Sequence, residues 1–540
     1  MWGRTGELAL GLALAAAGTA LVPAVDGASP GAGGAPSATS IDVAPRVVLP
    51  AEPPEPPIVP LGAAFDDDAS LPAHAESTHR TTIAARLDAP SHVVHGEGTI
   101  AWKNTSVAPV TELWVHLYLN AFKNERTLFL RTRLGEGRGD RAPSDWGYMD
   151  VKRLSLRGEA GHVELWPSAE RTSPGDAEDE TDVRVPLPSP CPPGGELTLD
   201  VVFDAKLPTI TERTGYHGTF HMVAQWFPKL ARLSRAGRWN HFPFHRLSEF
   251  SADFGSYDVS LDVPAGFVVG ATGTQVSSAT KDGRTTSRWT QDDVHDFAWT
   301  AWDGFEETKV TAAGVVVRHL APKGHAPVVQ QQLAAAAVGL RCYGRRFGRY
   351  PYPVLTIVHP PPGAEEAGGM EYPTLITTGG PWFGPPAVRI AESLTIHEFG
   401  HQHFYGLLAT DEHASPFLDE GLNSYAEQAC LREMFGDGSA IDLAGLSIRE
   451  EALQREGALS AGLDDVIARG AADFPSARHY GRLVYSRSAT LMATLAGAFG
   501  EDVVERALGR YARAYRFRHP DPRHLLAAFE DVGGPALADA

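Results

Sequence analysis

Between residues 78 and 304, apolar and polar residues alternate at period two in a succession of short runs. They are TIAARLDA, HVVHGEGTIAWKN, ELWVHLYLN, ELTLDVVFDAKL, YDVSLDVP, FVVGATGTQV and TSRWTQ, separated by Gly, Pro, Asn and Asp. Side chains on a strand point alternately to opposite faces, so this pattern predicts half-buried strands joined by turns in a large antiparallel β domain. From residue 305 the pattern is mixed, with VRHL and LTIVHPPP reading as further strands. From Val388 to the end, apolar residues recur at the helical period. No repeat at a solenoid period interrupts this order. The expected globular units are a β domain over 78–304 and an α/β-to-α module over 305–540.

The first 77 residues carry neither period. Leu8 to Val25 is uncharged and rich in Ala and Gly, with small residues around Val22-Pro23-Ala24. Residues 1–25 therefore read as a signal peptide or a membrane anchor, and the chain is expected to be exported: periplasmic, extracellular or tethered to a membrane through its N-terminus. Residues 26–77 hold GASPGAGGAPSATS, LPAEPPEPPIVP and DDDAS. Such a segment buries too little apolar surface to offset its ordering entropy, so a flexible linker is expected.

Composition narrows the classes. A chain of 540 residues with 43% hydrophobic and 21% charged residues is that of a globular protein of several domains. Lys and Arg number 47 against 66 Asp and Glu, a formal charge of −19, which argues against a nucleic-acid binder. Cys191, Cys342 and Cys430 allow at most one disulfide and exclude a zinc ribbon.

The chemistry concentrates in VRIAESLTIHEFGHQHFYG, a helical pattern with Gly406 as its stop. His397 and His401 stand at i and i+4, so both imidazoles reach one metal from one helical face. Glu398 is offset round the helix and can face a water beside that metal without being a ligand. A catalytic zinc takes three protein ligands, and Glu420 supplies the third from the start of a following helix, after Pro416. Glu427, further along that helix, is a candidate partner for a ligating histidine. His403 and His413 lack ligand spacing and read as surface or supporting histidines.

HEFGH, eighteen intervening residues and then Glu in LDEGLNSYAE resemble the gluzincin aminopeptidases, the family of aminopeptidase N and leukotriene hydrolase. Gly368-Gly369-Met370-Glu371-Tyr372 is similar to the family's Gly-x-Met-Glu-Asn motif, with Tyr372 at the asparagine position. Tyr485 in LVYSRSATLMATL is similar to its Tyr-x-Lys-Gly segment, with Arg487 at the lysine position and Ser488 at the glycine. ELWVHLYLNAF, AQWFPKL and EFSADFGSYDVSLDVP extend the resemblance through the β domain.

The resemblance implies a saddle-like antiparallel β domain followed by a thermolysin-like zinc catalytic domain, without the large helical C-terminal domain of many relatives. It implies one Zn²⁺ per chain on His397, His401 and Glu420, and peptides as substrates. Glu398 is then the general base and Tyr485 the oxyanion donor. Glu371 binds a peptide's free amine, with Gly368, Gly369 and Met370 beside it, and Arg487 orients Tyr485 or faces substrate. Larger relatives supply a second amine contact, Glu or Gln, shortly before the Phe-Pro step matching Phe227-Pro228, and an ungapped count lands near Thr219. The expected activity is that of a zinc aminopeptidase. An endopeptidase, an epoxide-type hydrolase on the same scaffold, and a secreted binding protein with a decayed site stay open.

Overall fold

The computed structural model describes residues 68–132, 142–158, 161–380, 387–462 and 465–540. The expected signal or anchor and the linker up to residue 67 lie outside the described residues. The linker's expected end at residue 77 is corrected, because residues 68–75 lie against the fold. Asp68 accepts a hydrogen bond from Arg513, and Asp293 accepts from His74 and from the Ala75 backbone. Among the described residues no helix is long and apolar enough to cross a membrane.

The N-terminal region is built on an eight-stranded sheet. In spatial order its strands are Thr274–Lys281, Arg284–Val294, Gly255–Pro264, His79–Asp88, Val93–Lys103, Glu196–Lys206, Tyr148–Gly158 and Gly161–Glu164. Burial alternates residue by residue along Gly255–Pro264 and through His79–Asp88, as period-two patterning requires. The sheet is not wholly antiparallel. His79–Asp88 runs parallel to Gly255–Pro264, because the chain returns to its first strand only after crossing the whole domain.

Two other expectations are corrected. ELWVHLYLN does not continue as a strand: Val110–His116 is extended, but Tyr118–Phe122 forms a 3₁₀ turn whose residues are all buried, so alternation ends there. FVVGATGTQV is two strands in different sheets, Val268–Ala271 and Thr274–Lys281. The break falls at Gly273, whose φ of +85° and approach to the Thr290 carbonyl leave no room for a Cβ.

A second sheet opens the C-terminal region, with strands Phe305–Ala312, Val315–Pro322, Val354–Val358 and Leu375–Thr377 in that order. Its last three strands are parallel. The crossover between the second and third is a 22-residue helix, α1 (Ala326–Phe347), which the sequence reading did not single out. Helices then dominate, beginning with α2 (Ile390–Gly400) and α3 (Glu420–Phe435). The helix bearing HEFGH thus ends at Gly400 rather than at the expected Gly406, and turns carry the chain through residues 401–407.

Cys342 on α1 and Cys430 on α3 form a disulfide across a sequence separation of 88, and Cys191 is free and buried. A cross-link closing so long a loop restricts the unfolded chain, and Cys342→Ser should lower stability by about 2–5 kcal/mol. Urea unfolding of both proteins, with and without reductant, checks this: reductant should destabilise only the wild type.

Candidate metal centre

The site depends on how closely α1, α2 and α3 approach. A Cβ on Gly400 would lie 1.9 Å from Asn423 Oδ1 and 2.2 Å from the Tyr343 hydroxyl, so only glycine permits the contact. In that space Tyr343 of α1 donates to Asn423 Oδ1 at 2.7 Å. The Asn423 amide of α3 donates to the His397 carbonyl of α2 at 2.8 Å. The two helices carrying the candidate ligands are thereby fixed to each other within a fraction of a turn of those ligands.

Both imidazoles are oriented from behind. His397 Nδ1 donates to Glu427 Oε2 at 2.8 Å, and His401 Nδ1 donates to Asp419 Oδ1 at 2.6 Å. Protonation at Nδ1 leaves the Nε2 lone pairs facing inward. His397 Nε2 and His401 Nε2 are 3.1 Å apart, and Glu420 Oε2 lies 3.3 Å from the first and 3.1 Å from the second. Donor atoms this close need a proton or a metal cation between them, and one metal ion at their focus would satisfy all three. Zinc bonds of about 2.0–2.1 Å in tetrahedral geometry require ligand atoms roughly 3.3 Å apart, so this donor set fits zinc. Burial would lower both imidazole pKa values. Glu427 and Glu420 outweigh it at His397, and Asp419, Glu371 and Glu420 outweigh it at His401, so both are held well above the usual range.

The other expected residues gather round this triangle. Glu398 is buried on α2, and burial raises its pKa against the opposing pull of His397. Glu371 is buried too, with Oε1 free of any hydrogen-bond partner among the described residues, and burial pushes it up to about 7. The segment bearing it pairs with the sheet's edge strand only irregularly, through a bridge between Met370 and Thr377. Gly368 passes so close to the Thr378 carbonyl that a Cβ would lie 2.5 Å from it, and Gly369 has φ of +70°. Tyr485 lies on a π-helical segment, Gly481–Arg487, a wider turn that recurs at functional sites. Its ring stacks on His397 at 6.0 Å, and its hydroxyl donates to Glu420 Oε1. Burial raises its pKa well above 10, so it remains a donor.

Some expected residues stand elsewhere. Arg487 turns away from Tyr485, its guanidinium bonding the backbone carbonyls of Ala458, Gly462 and Asp465, so it props the loop after residue 459. Thr219 bonds Asp303 and Trp302 on a distant hairpin and supplies no second amine contact. His403 is not a surface residue: it is buried against Tyr343 and bonds the Gly348 carbonyl at 3.0 Å. His413 packs on Phe242 and bonds Ser248 Oγ.

Three residues beside the site escaped the sequence reading. Asp419, next to Glu420 in the chain, orients His401. Arg213 and Glu249 come from the β region. Arg213 bonds both Glu249 oxygens at 2.6 Å and the Gly369 carbonyl at 2.8 Å, tying the β region to the segment before Glu371. Glu212 and Arg213 both have positive φ, 40° and 67°, a strained turn that delivers the guanidinium. That turn is the only local signal, and no residue type in the sequence announces it.

Residues 333–539 match the Peptidase family M1 domain, in agreement with the gluzincin resemblance. Among solved structures, the chain is similar to an M1 zinc metallopeptidase from Deinococcus radiodurans, at 16% identity and a TM-score of 0.56, over 88% of this chain and 95% of that one. A variant of that enzyme bound to a Tyr-Ser-Ala substrate matches at 16% identity and 0.56, over 88% and 96%. A two-domain M1 zinc metallopeptidase bound to L-arginine matches at 16% and 0.57, over 86% and 92%. At such identity these structures bear on the fold, a large β N-terminal region followed by a helical C-terminal part. No curated protein matches the chain.

Removing one of three ligands should release the metal: Glu420→Ala should lose most bound zinc. Asp419→Ala and Glu427→Ala, which free an imidazole to rotate, should weaken zinc by about 10–100-fold. Elemental analysis and chelator competition measure both effects.

Proposed function

We propose that the protein is a zinc-dependent aminopeptidase that removes one residue at a time from free N-termini. The observation that carries this reading is the buried Glu371 carboxylate, with an unpartnered oxygen, within 4.8 Å of a donor atom of the candidate ligand His401. When bound, the zinc ion supplies a Lewis acid that polarises the scissile carbonyl and acidifies the attacking water. Glu398, raised in pKa by burial, takes the proton of that water and returns it to the leaving amine. The Tyr485 hydroxyl, kept neutral by burial, donates to negative charge developing on the carbonyl oxygen. Glu371 binds the substrate ammonium by a charge-assisted bond in a site shielded from water, and so sets the scissile bond one residue from the N-terminus. Arg213 keeps Gly369 in place and thereby the approach of Glu371. The relatives bound to a Tyr-Ser-Ala substrate and to L-arginine support short peptides and amino acids as ligands of such a site.

An endopeptidase or a non-peptide hydrolase would need the same zinc but no amine anchor. Hydrolysis of amino-acid anilides with free and acetylated N-termini separates the readings. Free amines should react and acetylated ones should be nearly inert, with Glu371→Ala eroding the difference by slowing the free substrates. Similar rates on both would eliminate the aminopeptidase. Glu398→Gln should keep zinc and lose nearly all turnover, and Tyr485→Phe should keep zinc and lose about 10²–10³ in rate. Wild-type rates in either variant would show these roles to be misassigned.

Export is proposed on the uncharged Leu8–Val25 run, and the Cys342–Cys430 pair supports it, since such bonds persist in oxidising compartments. A reporter active only outside the cytoplasm, fused after residue 77, should gain activity. A silent reporter would count against export.

A further inference from the structure

The Glu371 carboxylate has an oxygen without a hydrogen-bond partner among the described residues, so the backbone beneath it must set its position. That backbone makes a tight turn directly afterwards. The Leu375 amide donates to the Tyr372 carbonyl at 2.9 Å, with Pro373 and Thr374 between them. Thr374 has φ of +60°, a left-handed conformation that such turns give to glycine or asparagine and that a β-branched residue adopts only under strain. Strain of this kind persists only where neighbours impose it. Two strands hold part of Thr374: its Oγ1 accepts from the Gly273 amide at 2.6 Å and its carbonyl from the Thr356 amide at 2.8 Å. Its own amide goes to Gln402, the fully buried residue that follows the candidate ligand His401. Gln402 Oε1 accepts from the Thr374 amide at 2.8 Å, and Nε2 donates to the carbonyls of Glu371 at 3.1 Å and Tyr372 at 3.2 Å. One side-chain amide thus grips the turn by three bonds, and their donors and acceptors admit a single orientation of that amide.

We propose that Gln402 is a positioning residue that fixes Glu371 relative to the metal, so that the amine anchor and the zinc ligands hold one spacing. The inference rests on the aminopeptidase reading, in which Glu371 receives the substrate ammonium. The chain itself supplies the link. His401 offers a ligand atom within 4.8 Å of a Glu371 carboxylate oxygen, and one peptide bond joins His401 to Gln402. α2 ends at Gly400, and the turns that follow leave the Gln402 side chain on the segment that carries Glu371. Gly406 lets these turns close, since a Cβ there would lie 2.8 Å from the Gln402 carbonyl. Arg213 holds the segment from the other side, through the Gly369 carbonyl at 2.8 Å. The backbone is therefore gripped before Glu371 by the β region and from Glu371 onward by the metal centre. A misplacement of about 1 Å at such a group can cost about 10²-fold, so this grip bears directly on substrate.

The test measures, by calorimetry on the zinc-loaded full chain, the binding of leucine hydroxamate and of N-acetyl-leucine hydroxamate. Both compounds bind metal through the hydroxamate, and only the first offers an ammonium to Glu371. The wild type should bind the free-amine compound about 10–100-fold more tightly, the worth of a hydrogen bond between charged groups. Gln402→Met, similar in size but without the amide, should lose most of that preference, while its zinc content and its affinity for the acetylated compound stay close to wild type. Gln402→Glu, which keeps an acceptor for the Thr374 amide, should retain part of the preference. A preference unchanged in Gln402→Met overturns the proposal. So does equal weakening of both compounds, which marks general loosening of the site rather than displacement of the anchor. If the methionine variant fails to fold, Gln402→Glu decides by the same ratio, and failure of both to fold assigns Gln402 to stability alone and overturns the proposal. Equal binding of the two compounds by the wild type removes the amine anchor, and with it the aminopeptidase reading and this inference. A wild type that discriminates, beside a methionine variant that discriminates equally, removes only the role of Gln402.

Discussion

Three donor atoms pointing at one spot need positive charge there, a proton or a metal ion, and the surrounding structure holds them in place. The convergence of His397, His401 and Glu420 is enforced from outside the triangle. Glu427 and Asp419 fix the imidazoles through Nδ1, and Asn423 fixes α3 to the backbone of α2. Gly400 makes the approach possible, and the Tyr343 hydroxyl reaches into the same gap from α1. The disulfide then joins α1 to α3 on the same pair of helices. Such an arrangement is prepared before the metal arrives, so binding energy need not be spent on ordering ligands.

The second sheet and the β region take their functional meaning from this centre. The edge of the second sheet carries Gly368 to Tyr372, and a strained turn in the β region clamps Gly369 through Arg213. One contact therefore spans two regions that fold from distant parts of the chain. Tyr485 reaches Glu420 from a π-helical turn, whose extra width displaces the ring relative to a regular helix.

What was legible in the sequence is what local chemistry determines. The spacing of His397, His401 and Glu420 announces a metal because helical geometry converts spacing directly into direction. The period-two runs announce strands for the same reason. Less was legible where a distant partner decides. Nothing near His401 in the chain identifies Asp419 as its support, and only packing of α3 against α2 brings them together. Arg213 and Glu249 meet the metal centre through tertiary approach alone. Gly273 breaks a continuous apolar run because of the Thr290 carbonyl across the sheet, and the helix bearing HEFGH ends before Gly406 because its next residues turn under the fold. The ungapped count to Thr219 lands on a hairpin that carries the residue away from the site, a displacement that no count along the chain registers.

Electrostatics closes the account of the site. Glu249, Glu371, Glu398, Glu412, Asp419 and Glu420 share one buried region, against Arg213, two imidazoles whose neutral form binds metal, and the ion they would hold. Carboxylates so close and so dry resist ionising together, which is why burial pushes Glu249 and Glu371 up to about 7. A protein that wanted only a zinc site could replace several of them with apolar residues at a gain in stability. Their retention is consistent with a ligand that is itself positive. Under the proposed aminopeptidase reading, a substrate ammonium would add positive charge to this region on binding and remove it when the product leaves.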